Sequence, residues 1–109
     1  MREPWTLEAL LADCPGAVIR RGGAVPVQGV AYDSRDVREG YCFVCIQGFK
    51  DDGHRYIGDA LRRGAVAVVV EKAVPVPGPL ALAEVPDARH ALALISRSEE
   101  RRVGKECRL

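Results

Sequence analysis

Tyr41-Cys42-Phe43-Val44-Cys45-Ile46 and Ala65-Val66-Ala67-Val68-Val69-Val70 are two short, continuous apolar runs rich in β-branched and aromatic residues. Glycines at 40 and 48 bound the first, and Gly64 precedes the second. Runs of this length, apolar at every position, predict central strands buried on both faces. Between them, His54 or Arg55 opens a helix. Tyr56, Ile57, Ala60 and Leu61 supply its apolar face, and Arg62-Arg63 complement its carbonyl end. Gly64 suits the left-handed position that ends many helices. Strand, loop, helix and strand in this order make a βαβ unit with parallel strands.

Outward from that unit the pattern stays α/β: a small mixed or parallel sheet with flanking helices. Thr6 is a predicted N-cap for a short first helix, with Leu7, Leu10, Leu11 and Cys14 on one face and Pro15-Gly16 as its stop. Ala17 to Arg20 reads as a short strand and Arg21-Gly22-Gly23 as a turn. Val27 to Tyr32 reads as another strand, followed by the polar loop Asp33-Ser34-Arg35-Asp36. After the stiff segment Pro75-Val76-Pro77-Gly78-Pro79, Leu80 to Val85 forms a further strand. Asp87 then caps a last helix with Ala88, Ala91, Leu92 and Ile95 inward.

At 109 residues the chain is one domain, and 48% hydrophobic content suffices for a core without staples. The net charge of +1 offers no basic field for nucleic acid. No apolar run is long enough to span a membrane, and the first residues lack a signal-peptide core, so a cytoplasmic setting is expected. Cys14, Cys42, Cys45 and Cys107 are then expected as thiols.

Asp33-Ser34-Arg35 ends a strand, where ligands of open α/β sheets collect. Its hydroxyl both donates and accepts, and its guanidinium matches phosphate oxygens. The simpler reading is a local turn in which Asp33 satisfies nearby amides. Gly48-Phe49-Lys50-Asp51-Asp52-Gly53-His54 also follows a strand and precedes a helix N-terminus, a place that favours anions. Against this stands a plain solvated loop. Asp51, Asp52 and His54 lack a second cluster for a metal. Cys42 and Cys45 form a C-x-x-C, but inside a strand they point to opposite faces, which argues for small core hydrophobes over a redox or zinc pair. Gly104-Lys105 is no phosphate loop: Glu99 and Glu106 stand where Gly and Ser or Thr are needed.

In order, Gly29-Val30-Ala31-Tyr32-Asp33-Ser34-Arg35, Val37, Gly40, Phe43-Val44, Gly48, Asp52-Gly53-His54, Tyr56-Ile57, Ala60 and Gly64-Ala65 resemble the amino-terminal domain of Mur ligases. The Leu-rich first helix and the Tyr-Asp-Ser-Arg form resemble the MurE branch, with MurF as the alternative. The resemblance implies an ATP-dependent ligase of peptidoglycan synthesis. Such an enzyme adds a third amino acid, diaminopimelate or lysine, to a UDP-N-acetylmuramoyl dipeptide. It implies that this domain grips the UDP end through Tyr32, Ser34, Phe49, Lys50 and Asp51, and that it carries no catalytic residue, metal or cofactor of its own. Phe49 and Asp51 depart from the family habit. ATP and Mg would belong to domains beyond this stretch, so the chain alone is expected to be inactive. The resemblance covers residues 5 to 96. From Arg97 onward the chain resembles a translated sequencing-adapter sequence, so residues 97–109 are expected to be a non-native tail.

Overall fold

The computed structural model describes residues 5–47 and 52–103, with side chains up to residue 97. Among the described residues, seven strands and three α-helices follow one another. They are β1 (Trp5–Thr6), α1 (Leu7–Leu10), β2 (Val18–Arg21), β3 (Pro26–Val27), β4 (Gly29–Ala31), β5 (Tyr41–Val44), α2 (Ile57–Arg62), β6 (Ala67–Val70), β7 (Ala81–Glu84) and α3 (Ala88–Val103). The main sheet has the order β2-β7-β6-β5-β4. Its last four strands are parallel: Val30 pairs with Cys42, Cys42 with Ala67, and Ala67 with Ala81. Only β2 runs antiparallel, Val18 opposite Glu84. The expected mixed, mainly parallel α/β sheet is therefore present, with the βαβ unit at its centre.

Strand alternation divides the core between the two faces of the sheet. Cys42, Val44, Ala67 and Val69 pack with Leu7, Leu10 and Leu11 and with Ala88, Ala91 and Ile95 of α3. Phe43, Cys45, Val68 and Val70 pack on the opposite side with Ile57 and Ala60 of α2. Fully burying a ring such as Phe43 stabilises the fold by about 2–3 kcal/mol. The cysteines of the C-x-x-C thus lie in different clusters, as the strand reading requires.

Local signals hold in detail. The Thr6 hydroxyl accepts from the Ala9 amide at 3.1 Å, and the Asp87 carboxylate accepts from the His90 amide at 3.1 Å. Gly64 ends α2 with a φ of +109°, and a Cβ there would lie 2.6 Å from Glu39 Cα. The Ala65 amide reaches back to the Ala60 carbonyl, closing the helix end.

Four expectations change. The first helix is a single turn ending at Leu10 with Leu11 as its C-cap, so it stops before Cys14 and Pro15-Gly16. The run from Val27 to Tyr32 is not one strand: Val27 pairs with Trp5 in a separate two-stranded ribbon, while Gly29–Ala31 joins the main sheet. Between them Gln28 turns its amide to the Gly40 carbonyl at 2.8 Å. The run from Tyr41 stops pairing as a strand at Val44. The second helix begins later than His54, because Gly53–Tyr56 forms a tight 3₁₀ turn and α-helical geometry starts at Ile57. Tyr56 consequently lies 37% exposed and does not join the inward face.

At the outer edge, β2 carries two arginines folded back onto the protein. Arg20 pairs with Glu84 at 2.5 Å. Arg21 donates to the carbonyls of Leu80, Val76 and Pro77 at 2.8, 3.1 and 2.9 Å. None of the helices among the described residues is long and apolar enough to cross a membrane.

Candidate functional site

A cavity of about 880 Å³ opens beyond the carboxyl ends of β4 and β5 and is closed on one side by α2. This is where an open parallel sheet receives ligands. Tyr32, Asp33, Ser34 and Arg35 form one wall. Phe43, Ile46 and Gly53 lie at the strand end, and Arg55, Tyr56, Gly58, Asp59 and Arg62 form the facing wall.

The first wall begins as a polar turn after β4. The Asp33 carboxylate accepts from the Arg35 amide at 2.9 Å, the local turn anticipated for this residue. It also accepts from Arg35 Nε at 3.0 Å and Nη2 at 2.7 Å. These bonds from Arg35 lower the Asp33 carboxyl to about 2. The guanidinium fork expected for phosphate is therefore engaged by its own neighbour. Tyr32 stands 62% exposed, whereas Ser34 is buried.

Ser34 faces α2. Ser34, followed by Arg63, holds the Asp59 carboxyl below its ordinary range. Asp59 also pairs with Arg62 at 3.3 Å and Arg63 at 3.1 Å. The Arg55 guanidinium lies 5.8 Å from the centre of the Tyr56 ring. The cavity thus has aromatic surface at both walls, a buried hydroxyl, and arginines at its rim.

The second loop is fixed at its far end. Gln47 and Asp52 form an antiparallel bridge, and the Gly53 amide donates to the Ile46 carbonyl at 2.9 Å. A Cβ on Gly53 would come within 2.8 Å of Ile46 N, so only glycine permits this approach. The Asp52 carboxylate accepts from the His54 amide at 3.0 Å, from His54 Nδ1 at 2.6 Å and from Lys72 Nζ at 2.5 Å. His54 Nε2 accepts from the Glu71 amide at 3.0 Å. Accepting there leaves Nδ1 as the protonated nitrogen of a neutral ring. Both ring nitrogens are thereby engaged in holding β6 to the loop. The Glu71 carboxylate in turn caps α3 at the Ala88 amide, 2.5 Å away.

Of the five residues expected to bind UDP, Tyr32 and Ser34 line one cavity together. Phe49, Lys50 and Asp51 lie outside the described residues. Sequence reading missed Arg55, Asp59 and Arg62 as site residues. Asp59 and Arg62, three positions apart on α2, carry a helical-spacing signal, while Arg55 comes from the 3₁₀ turn that precedes the helix. Cys42 and Cys45 are buried on opposite faces, and burial pushes the Cys45 thiol far up. A buried thiol so disfavoured as thiolate is chemically inert, which turns the C-x-x-C away from redox or zinc chemistry.

Comparisons with known proteins follow the same line. A family described as "Mur ligase family, catalytic domain" matches residues 26–100. The chain is 40% identical over 90 residues to a Clostridium perfringens protein named UDP-N-acetylmuramoyl-L-alanyl-D-glutamate--2,6-diaminopimelate ligase, covering 83% of this chain and 19% of that one. A Syntrophomonas wolfei protein of the same name is 43% identical over 83 residues, covering 76% of this chain and 17% of its own. Among solved structures, a UDP-N-acetylmuramoylalanyl-D-glutamyl-2,6-diaminopimelate--D-alanyl-D-alanyl ligase from Acinetobacter baumannii shares the fold. Its TM-score is 0.72 at 24% identity, over 90% of this chain and 22% of that one. The MurF ligase of Thermotoga maritima, solved with ADP, has a TM-score of 0.55 at 33% identity, over 67% of this chain and 17% of that one. The chain spans about a fifth of the length of the curated relatives it matches. With a family match over residues 26–100 and relatives 40% and 43% identical over most of its length, the chain belongs to the Mur ligase family.

Proposed function

We propose that residues 1–96 form the part of a MurE-type ligase that grips the UDP end of a UDP-N-acetylmuramoyl dipeptide. In this reading the parent enzyme is cytoplasmic and adds diaminopimelate or lysine, using ATP and Mg. The observation that carries it is the meeting of Tyr32 and Ser34 in one cavity beyond two adjacent parallel strands. The names of the relatives supply the substrate class. Phe49, Lys50 and Asp51 complete the nucleotide contact in this proposal, and residues 97–109 are foreign to it. Ile95 is the last buried side chain of α3 among those described.

ATP and Mg do not fit the residues present. No Gly-Lys-Ser or Gly-Lys-Thr loop occurs in the sequence, and no three His, Cys, Asp or Glu side chains gather as metal ligands among the described residues. The contribution of this chain is positional. Affinity for the unreactive UDP end holds the distant peptide carboxylate where another domain can act on it. The likeness to MurF structures supports a second reading, in which the bound precursor carries a tripeptide.

Titration of the 109-residue chain with UDP-N-acetylmuramoyl dipeptide, followed by NMR, tests the proposal. Shifts concentrated at Tyr32 and Ser34, with a dissociation constant near about 1 mM, are expected for one domain binding alone. Removing residues 97–109 should leave both the shifts and the affinity unchanged. A spectrum that does not move at millimolar ligand would leave the fold and remove the function.

A further inference from the structure

We infer that His54 is a positioning residue that couples the cavity wall at the Gly53–Tyr56 turn to the first turn of α3, so that a ligand pressing on this wall alters how α3 begins. The coupling is geometric in origin; only the identity of the ligand rests on the UDP-binding reading above.

The turn faces two ways. Gly53, Arg55 and Tyr56 line the cavity. His54, between them, is turned inward, and its side chain is 3% exposed. Its Nδ1 meets the Asp52 carboxylate at 2.6 Å, and its Nε2 accepts from the Glu71 amide at 3.0 Å. The last pair of the β6–β7 ladder is Val70 with Glu84. Glu71 therefore lies just beyond the ladder, and a side chain, not a strand, holds its amide. The Glu71 carboxylate then accepts from the Ala88 amide at 2.5 Å.

Ala88 is the first residue of α3. Amides in the first turn of a helix have no acceptor within the helix. Ala88 is fully buried, so water does not supply one. The Asp87 carboxylate serves the His90 amide instead. The Ala88 amide thus depends on Glu71, Glu71 on His54, and His54 on Asp52. Lys72, the next residue after Glu71, grips the other oxygen of Asp52 at 2.5 Å. A shift of the turn that carries Arg55 and Tyr56 must carry His54, and a displaced His54 tightens or releases the cap of α3. Such coupling is reciprocal: what steadies the turn steadies Ala88, and a cut in the chain of contacts weakens both ends.

Hydrogen exchange of the 109-residue chain, followed by NMR, tests this at the Ala88 amide, with the Val69 amide of β6 reporting wider opening of the sheet. Glu71→Ala removes the cap and should speed exchange at Ala88 about tenfold. His54→Leu leaves Glu71 in place and should still speed it about fivefold beyond any change at Val69. Asp52→Asn is the milder variant, which weakens the charged bond to the ring, and should speed it about twofold. In the unmodified chain, UDP-N-acetylmuramoyl dipeptide at millimolar concentration should slow exchange at Ala88, and Glu71→Ala should abolish that response. Equal acceleration at Ala88 and Val69 in the His54 and Asp52 variants makes the network a plain structural clamp and overturns the inference. So does a ligand that shifts Tyr32 and leaves exchange at Ala88 unchanged. A ligand that does not bind removes the UDP-binding reading alone, and the substitutions then decide the coupling.

Discussion

Two turns of this molecule begin alike and end differently. Asp33 and Asp52 follow adjacent parallel strands, share a φ of −117°, and have ψ of 124° and 118°. Each accepts the amide two residues on and opens a 3₁₀ turn. After Asp33 the chain stays at the surface: Arg35 is 80% exposed and Tyr32 projects beside the cavity. After Asp52 the chain turns inward, and the His54 side chain is 3% exposed between Asp52 and the Glu71 amide. One local device thus serves a presenting turn and an anchoring turn. What separates them is the third residue, an arginine that returns to its own aspartate or a histidine that crosses to the next strand.

The largest effect should come from the anchor. His54→Ala opens a buried gap and strands the Glu71 amide, and should cost about 3 kcal/mol in urea denaturation. If it costs no more than a surface change, the two turns are energetically alike and the contrast fails. Acid should act next. Bonds from Lys72 and from His54 hold the Asp52 carboxyl well below its ordinary range. A group depressed in this way stabilises the fold above its unfolded value of about 3.9, and that stability is lost as pH falls through the lower folded value. Asp52→Asn should therefore lower the urea midpoint near neutral pH, with the difference from the unmodified chain shrinking toward about pH 2. Asp33 titrates with the same sign, lowered to about 2 by Arg35. The smallest effect belongs to the presenting turn: Arg35→Ala should change stability by less than about 0.5 kcal/mol, because the pair is exposed and Asp33 keeps its backbone bond. A larger loss would mean that this turn is also an anchor.

What could be read from the sequence was what short-range chemistry decides. Tyr41 to Val44, Ala67 to Val70 and the Gly64 stop follow from apolar runs and one positive φ, and the structure has them in place. The break at Gln28 could not be read, because it depends on Trp5, more than twenty positions away, pairing with Val27. The start of α2 was misplaced by a few residues because Asp52 caps a tighter turn before α-helical geometry begins. At the site, Tyr32 and Ser34 were visible through motif and strand end. Arg55, Asp59 and Arg62 were hidden because each looks like an ordinary solvated helix residue until the opposite wall is in place.

The back-turned arginines of β2 have a consequence for how copies of this chain behave together. A sheet edge is the natural landing place for another strand, and a parallel sheet ending in an apolar strand would invite stacking from chain to chain. Here the β2 edge strand is only Val18–Arg21, runs antiparallel to β7, and has its two guanidiniums latched across its flank. At high concentration an incoming strand would have to displace those latches and face two positive charges. The same few residues that finish the fold therefore also discourage it from continuing into a polymer.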